Sequence, residues 1–584
     1  MKSYKYIALS LFSAAFALSS CSDFLDTEPD QRVDIDSEDK VVKLLVSAYP
    51  AGNYALLSEL SSDNIIDNNS PHQEAGPKKS GNTFYYNRPS YDRMDDEIFA
   101  FEDAKSGNSQ DSPSYVWGSL YESIATVNLA LQSIDEIMDK NGGVLTDKLR
   151  GARAEALLIR AYSHFILVNL FSQAYKDDEA SKKDIGVPYV TKPEDKVHVT
   201  YDRGNVADVY AKIQADLEEG LKDINDNNYE MPKYHFNVNA AHAFAARFYL
   251  YKRDYDKVIE HANAVLGTDP SVLPDKLLKL SGFETCVTYT DYVNKWIDPE
   301  DNNNLMLLST NSRYSRHLSG YRYAWNGKAL DETIYHSAFK SGDYVWWLWY
   351  VNPYYYVSGG LFYSGSSDYG FHPTKVGESF EYTDKVAGIG YPHIVRREFT
   401  ATALLLDRAE AKLLSASHRD IEGAIADLIA YDNSRQSFGE ADKVTYTASG
   451  NLMPLTREIL EKHYSNVDNP NCFANWDFTK NMSGSFVIPQ DVVVYMNAVN
   501  DLRRFETVLE GTRFFDLKRF GIEYSHFIGP NNTEYKLVWN DPRRALEVPQ
   551  EALSAGLESS RPTKDKPQDT NEFKMSTERQ FVTN

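Results

Sequence analysis

Between Tyr344 and Val357 the chain reads YVWWLWYVNPYYYV: eight aromatic residues in fourteen positions, and no charge. Such side chains can fill a core, or they can offer flat faces for a ligand to stack on. Five of the eight tryptophans fall between positions 296 and 349: Trp296, Trp325, Trp346, Trp347 and Trp349. Hydrogen-bonding residues are interleaved with them, among them Arg313, Asn326 and Asn352. Apolar ring faces edged by amides and guanidinium groups suit a sugar, whose ring has apolar C–H faces and a hydroxyl rim. In a strand, alternate residues share a face, so Trp347 and Trp349 point one way and Trp346 the other. One side of the block then packs on the scaffold and the other is free. The competing reading makes the whole block core. Pro353 and the tyrosines after it, Tyr354 first, argue against a fully buried strand. A second aromatic loop, NTFYYNRPSYDRM, carries Tyr85, Tyr86, Asn87 and Tyr91 just before the first long helix.

Enzyme signatures are missing from the sequence. There is no HExxH, no GxSxG and no phosphate-binding GxxxxGK[ST]. The thirteen histidines show no zinc spacing. No metal site or cofactor is expected. A carboxylate pair acting across space leaves no local signature, so a hydrolase stays open on these grounds alone. The run LEGTRFFDLKRFG, residues 509–521, sets Glu510, Arg513, Asp516 and Arg519 at steps of three. On one helix these would line a face and pair, which reads as a buried salt-bridge network rather than an anion site. Charges inside the apolar run RAEALLIRAY, residues 153–162, are expected to be paired in the same way.

The elements that must hold these residues are mostly helices. Val116, Leu120, Ile124, Val127, Leu131, Ile134 and Met138 form one face of a helix over 115–140. After Gly142-Gly143 a second, nearly all-apolar helix opens with Thr146 as N-cap. A third stripe spans Val206 to Ile224. Residues 241–270 have the offsets of a tetratricopeptide-type unit, with small Ala246 where two helices approach, a turn at Asp254-Tyr255, and Asp269-Pro270 as the stop. A less exact copy lies at 402–435. The expected fold is mainly α: a tetratricopeptide-like helical repeat scaffold over 41–270 and 400–525. An irregular, partly β, aromatic-rich insertion at 271–399 carries the ligand site, with strands such as NLMLLST. A C-terminal irregular segment, 526–584, packs on the same domain.

At the N-terminus, Lys2 and Lys5 precede the uncharged run IALSLFSAAFAL, and LSSC follows. This reads as a lipoprotein signal peptide over 1–20, with Cys21 the lipidated first residue of an acidic tether, 21–40. The net charge of −23 makes nucleic acid an unfavourable partner. Cys286 and Cys472 either form one disulfide or stay reduced.

Several segments taken in order resemble the SusD/RagB family of outer-membrane nutrient-binding lipoproteins: CSDFLDTEP (21–29), VWGSLYESIATVN (116–128), RAEALLIRAYSHFILVNLF (153–171), DIGVPYV (184–190), YDRGNVADVYAKIQADLEEGL (201–221), LEGTRFFDLKRFG and DPRRALEVPQEAL (541–553). The resemblance implies four tetratricopeptide-type pairs in one α-rich domain. It also implies a surface lipoprotein that caps a SusC-type TonB-dependent barrel and hands it glycan or peptide, without enzymatic activity. Those motifs belong to the scaffold and transfer no binding residue. The ligand residues expected on physical grounds are therefore Trp296, Trp325, Trp347, Trp349, Arg313, Asn326, Tyr354, Tyr85, Tyr86 and Asn87. Peptide capture by the same architecture, or a purely protein-binding scaffold, are the alternatives.

Overall fold

The computed structural model describes residues 35–561, apart from 72–86, 195–200, 334–369, 437–454 and 466–475 and shorter gaps at 105–106, 108, 280–282, 284, 320, 371–373, 477 and 479–485. The fold is mainly α. After α1 (Glu38–Val46), α2 (Ala55–Leu60) and α3 (Arg93–Phe99) come the long helices α4 (Pro113–Lys140) and α5 (Asp147–Phe171). In α4, Ser112 caps the start by accepting from the Tyr115 amide, and Pro113 sits where its missing N–H costs nothing. Its stripe from Val116 to Ile134 is buried. The chain then turns at Gly142 and Gly143, both at positive φ. Thr146 caps α5 as expected, by accepting from the Leu149 amide.

By length and composition α5 could cross a bilayer, yet its apolar stretch is wholly buried between neighbouring helices. It packs against α4 on one side and α6 (Val206–Asp223) on the other. Gly220 of α6 permits this approach, because a Cβ there would meet the Ala154 carbonyl at 3.0 Å. Arg160, enclosed in α5, donates to both Asp216 oxygens at 2.7 Å and to Asn128 at 3.0 Å.

The repeat unit forms α7 (Val238–Lys252) and α8 (Tyr255–Leu266). Left-handed Arg253 and the Asp254 cap make the turn, and Ala246 is fully buried. α8 stops at Leu266 with Gly267 at φ 80°, slightly before the Asp269-Pro270 stop read from the sequence. Beyond α9 (Tyr289–Trp296), a sheet of strand order β1–β3–β2 follows: β1 (Asn304–Asn311), β2 (Glu378–Asp384) and β3 (Ile389–Thr400), all antiparallel. β3 runs directly into α10 (Ala401–Leu414), and Thr400 caps that helix. α10 pairs with α11 (Ile421–Gln436) and packs on α8, so the second helix pair stacks on the first. α12 (Arg457–Ser465) and α13 (Val493–Thr507) extend the stack. Leu305, Met306, Leu308, Ile394 and Phe399 of the sheet join the same core as the helices. A hairpin, β4 (Tyr524–Ile528) with β5 (Thr533–Leu537), closes the described chain's regular structure together with a short helix, Gln550–Ser554.

The 509–521 run departs from a single helical face. Leu509 and Gly511 take φ 63° and 85°, so α14 spans only Arg513–Arg519. Asp516 and Arg519 pair locally at 2.7 Å. The other charges reach outward. Arg519 meets Glu410 of α10 at 2.7 Å, Arg513 forks onto Asp63 at 2.7 Å, and Glu510 accepts from Arg397 of β3 at 2.8 Å. These charges bridge separate elements.

Removing one partner of a buried ion pair strands the other charge. Asp216→Ala is therefore expected to destabilise the protein by about 3–5 kcal/mol, read by urea unfolding. A change below about 1 kcal/mol would show that Arg160 finds other partners. Burial would raise the Asp63 carboxyl, but the Arg504 and Arg513 guanidinium groups overcome this and hold it well below the ordinary range. A depressed carboxyl contributes stability above about pH 4 that is lost as the pH falls through its folded value. Asp63→Asn should flatten the acid limb of stability against pH; an unchanged limb counts against this role.

Candidate ligand-binding surface

Four chain segments meet on a polar frame around buried Asp67. Its carboxylate accepts from Arg322 Nε and Nη2 at 3.1 and 2.9 Å, from the Gly529 amide at 2.8 Å and from the Asn69 amide at 2.8 Å. Arg322 Nη1 reaches Asp96 at 2.9 Å, where the Tyr323 hydroxyl also donates at 2.8 Å. The Asn69 side chain exchanges two hydrogen bonds with the Arg88 backbone, at 2.9 and 2.8 Å. The Arg322 amide donates to the Pro89 carbonyl at 3.0 Å. A guanidinium fork shared between two carboxylates is a stiff joint. It fixes segments 67–70, 87–96, 321–326 and 529–532 relative to one another.

An aromatic corner stands on this frame. The half-buried Tyr91 ring lies 4.3 Å from the His317 imidazole and 5.0 Å from the Tyr321 ring, which it meets at 84°. His317 is held from below by Asp95, at 2.8 Å. Asp95 also accepts from the Asp92 amide and so closes the capping box of α3. Burial raises the Asp95 carboxyl, though the His317 hydrogen bond opposes it. Nearby, Asp111 accepts from the Ser312 hydroxyl at 2.5 Å and the Arg313 amide at 2.7 Å, and burial pushes its pKa up to about 6. Both acids are enclosed and committed to internal bonds. Arg316, which interacts with the Tyr91 side chain, is exposed, and the shielded Arg313 Nε has no hydrogen-bond partner. Arg316 forks onto Glu378 of β2 at 2.8 and 3.0 Å. Two rings at right angles with donors at the edge can stack on one face of a ligand and bond its rim. Among the described residues no group of three or more His, Cys, Asp or Glu is placed to hold a metal ion.

Two expected platform residues prove to be core. Trp296 is 1% exposed and Trp325 fully enclosed. Trp296 ends α9 facing inward, between Phe283 at 5.7 Å and the Arg397 guanidinium at 3.7 Å. The Trp325 indole donates to Thr333 at 3.0 Å. Asn326 is buried as well. Its oxygen caps the short helix Gly327–Thr333 through the Ala329 amide and its nitrogen bonds Asn68, so it has little left for a ligand. Arg313 immediately precedes the short helix that carries His317, and Asn87 is exposed four residues before Tyr91. Trp347, Trp349, Tyr354, Tyr85, Tyr86, Cys21 and Cys472 fall outside the described residues. The sequence reading passed over Tyr321, which sits in the turn-rich stretch SGYRYAW with no periodic signal around it.

A cavity of about 630 Å³ lies elsewhere, between α4, residues 188–194 and the Gln550–Ser554 helix. Trp117, Tyr121, Val190, Ala552 and Leu557 line it. The Tyr121 hydroxyl is already given to the Pro188 carbonyl. Glu122, Lys192, Glu194 and Tyr201 supply its polar lining, and the Tyr201 hydroxyl donates to Glu194.

Residues 23–250 match a SusD-like family model described as starch-binding and associating with the outer membrane. No curated protein matches the sequence. Solved structures share the fold. A SusD superfamily protein of Bacteroides thetaiotaomicron, 18% identical, aligns over 91% of this chain and 100% of its own with a TM-score of 0.54. One from Bacteroides fragilis, 17% identical, covers 92% and 100% at 0.55, and one from Bacteroides vulgatus, 17% identical, covers 91% and 99% at 0.53. The SusD-like family model thus covers the first helical block, and the solved SusD superfamily structures share the fold over nine-tenths of the chain.

Proposed function

We propose that this protein is a lipid-anchored glycan-binding protein of the outer-membrane surface. It captures oligo- or polysaccharide and passes it to a SusC-type TonB-dependent transporter, without cleaving it. The observation that carries the reading is the Tyr91–Tyr321 corner, half open and edged by Arg316, which interacts with the Tyr91 side chain. The family description, starch-binding and associated with the outer membrane, supports it. So does the LSSC sequence at Cys21, since a lipid on that sulfur would hold the chain at a membrane surface. The Asp95 and Asp111 carboxylates beside the corner are buried and bonded to protein groups. Peptide capture is the second reading. β2 is an edge strand, exposed from Ser379 onward, and an extended peptide can add to such an edge.

Calorimetry against a panel of oligosaccharides and peptides tests the choice. Tyr91→Ala and Tyr321→Ala are each expected to weaken glycan binding about two- to tenfold, the worth of one stacking ring. The glycan should be recovered at its original length after incubation. Unchanged affinity in both variants removes the corner as the site, and shortened products remove the binder assignment. Cys21→Ser should move the protein from the membrane fraction to the soluble periplasmic fraction; a variant that still sediments with membranes has some other anchor.

A further inference from the structure

The β2–β3 hairpin stands clear of the body. From Ser379 to Asp384 every residue of β2 is exposed, and Val386 near the turn is fully so. On this bare ribbon sit two large rings. Phe380 and Tyr382 are 43% and 52% exposed and meet edge to face, 4.9 Å apart. They occupy alternate positions and so share the face of Glu378. Their cross-strand partners on that face are Pro392 and Gly390. Neither can cover them; glycine has no side chain at all. The Phe380 ring lies over Gly390, and both rings still keep a large face open to solvent.

The ribbon is joined to the aromatic corner. Glu378, at the foot of β2, is gripped by Arg316, and Arg316 interacts in turn with the Tyr91 side chain. The strand rises about 3.4 Å per residue, which puts Tyr382 about 14 Å beyond Glu378 on the same face. A small ligand in the corner does not extend that far, whereas a chain of sugar rings does. A protein partner is disfavoured by area. A stable protein interface buries roughly 800 Å² on each side, and two rings on a ribbon two strands wide supply a fraction of that.

We infer that Phe380 and Tyr382 form a second stacking subsite for a polymeric glycan whose other part lies in the Tyr91–Tyr321 corner. The two platforms make the protein select long chains, because each weak contact raises the effective concentration of the chain at the next. This rests on the glycan reading of the corner.

The test uses the mature full-length chain. Native affinity gels containing starch, laminarin, xylan or mannan report polymer binding, and calorimetry with the matching trisaccharides reports the corner alone. Phe380→Ala combined with Tyr382→Ala should weaken polymer binding about three- to tenfold and leave trisaccharide affinity and thermal melting unchanged. Phe380→Tyr with Tyr382→Phe, which keeps both rings, should behave as wild type. Wild-type retardation by none of the polymers overturns the glycan reading and this inference with it. Retardation that survives the double alanine change overturns the subsite alone and leaves the corner standing. Equal loss on polymer and trisaccharide also overturns it, since the rings would then belong to a single site.

Discussion

A helix pair cannot cover its own apolar face, and this constraint shapes the protein. α5 is apolar on almost every side and needs helices around it; α4 and α6 supply them. α7 and α8 leave a face that only another pair can close. The next pair in the chain, α10 and α11, begins at Ala401, so α8 must receive a partner from more than a hundred residues downstream. Once that contact forms, everything between Leu266 and Ala401 leaves from one place and returns to it. α9 and the β1–β3–β2 sheet, the described regular elements of that stretch, are thereby held beside the stack.

The charges inside the helices follow from the same stacking. Arg160, Glu410, Arg513 and Arg519 sit on buried helical positions where unpaired charge would be expensive, and each finds its partner on another element. Such pairs add little net stability compared with apolar packing, but they penalise any arrangement in which the partner is missing. They define which helix lies against which. The Arg322 joint at the surface works by the same logic, with Asp67 and Asp96 as its two anchors. It holds loop segments from distant parts of the chain close enough for Tyr91 and Tyr321 to meet. Rigidity there reduces the ordering cost of binding.

The helical part of the fold was legible. The Thr146 cap, the turn at Asp254 and the stripes of α4 and α6 are local signals, readable from residue type and hydrophobic periodicity. β1 was visible as NLMLLST. The run around Arg513 was read correctly as a buried network but wrongly as one helical face, because φ 85° at Gly511 breaks the helix before it starts. The site was far less legible. Trp296 and Trp325 were chosen for residue type, yet a tryptophan suits a core as well as a platform, and the type alone carries no sign of which. Tyr321 had no local pattern to recommend it.

The amino-acid sequence alone determined the helices, their caps, the repeat spacing and the acidic character, since each depends on residues within a turn or two of one another. Tertiary structure alone decided which rings are sealed and which are open. Exposure is settled by what packs over a side chain, and at Trp296 that is Arg397, a residue of another element a hundred positions away.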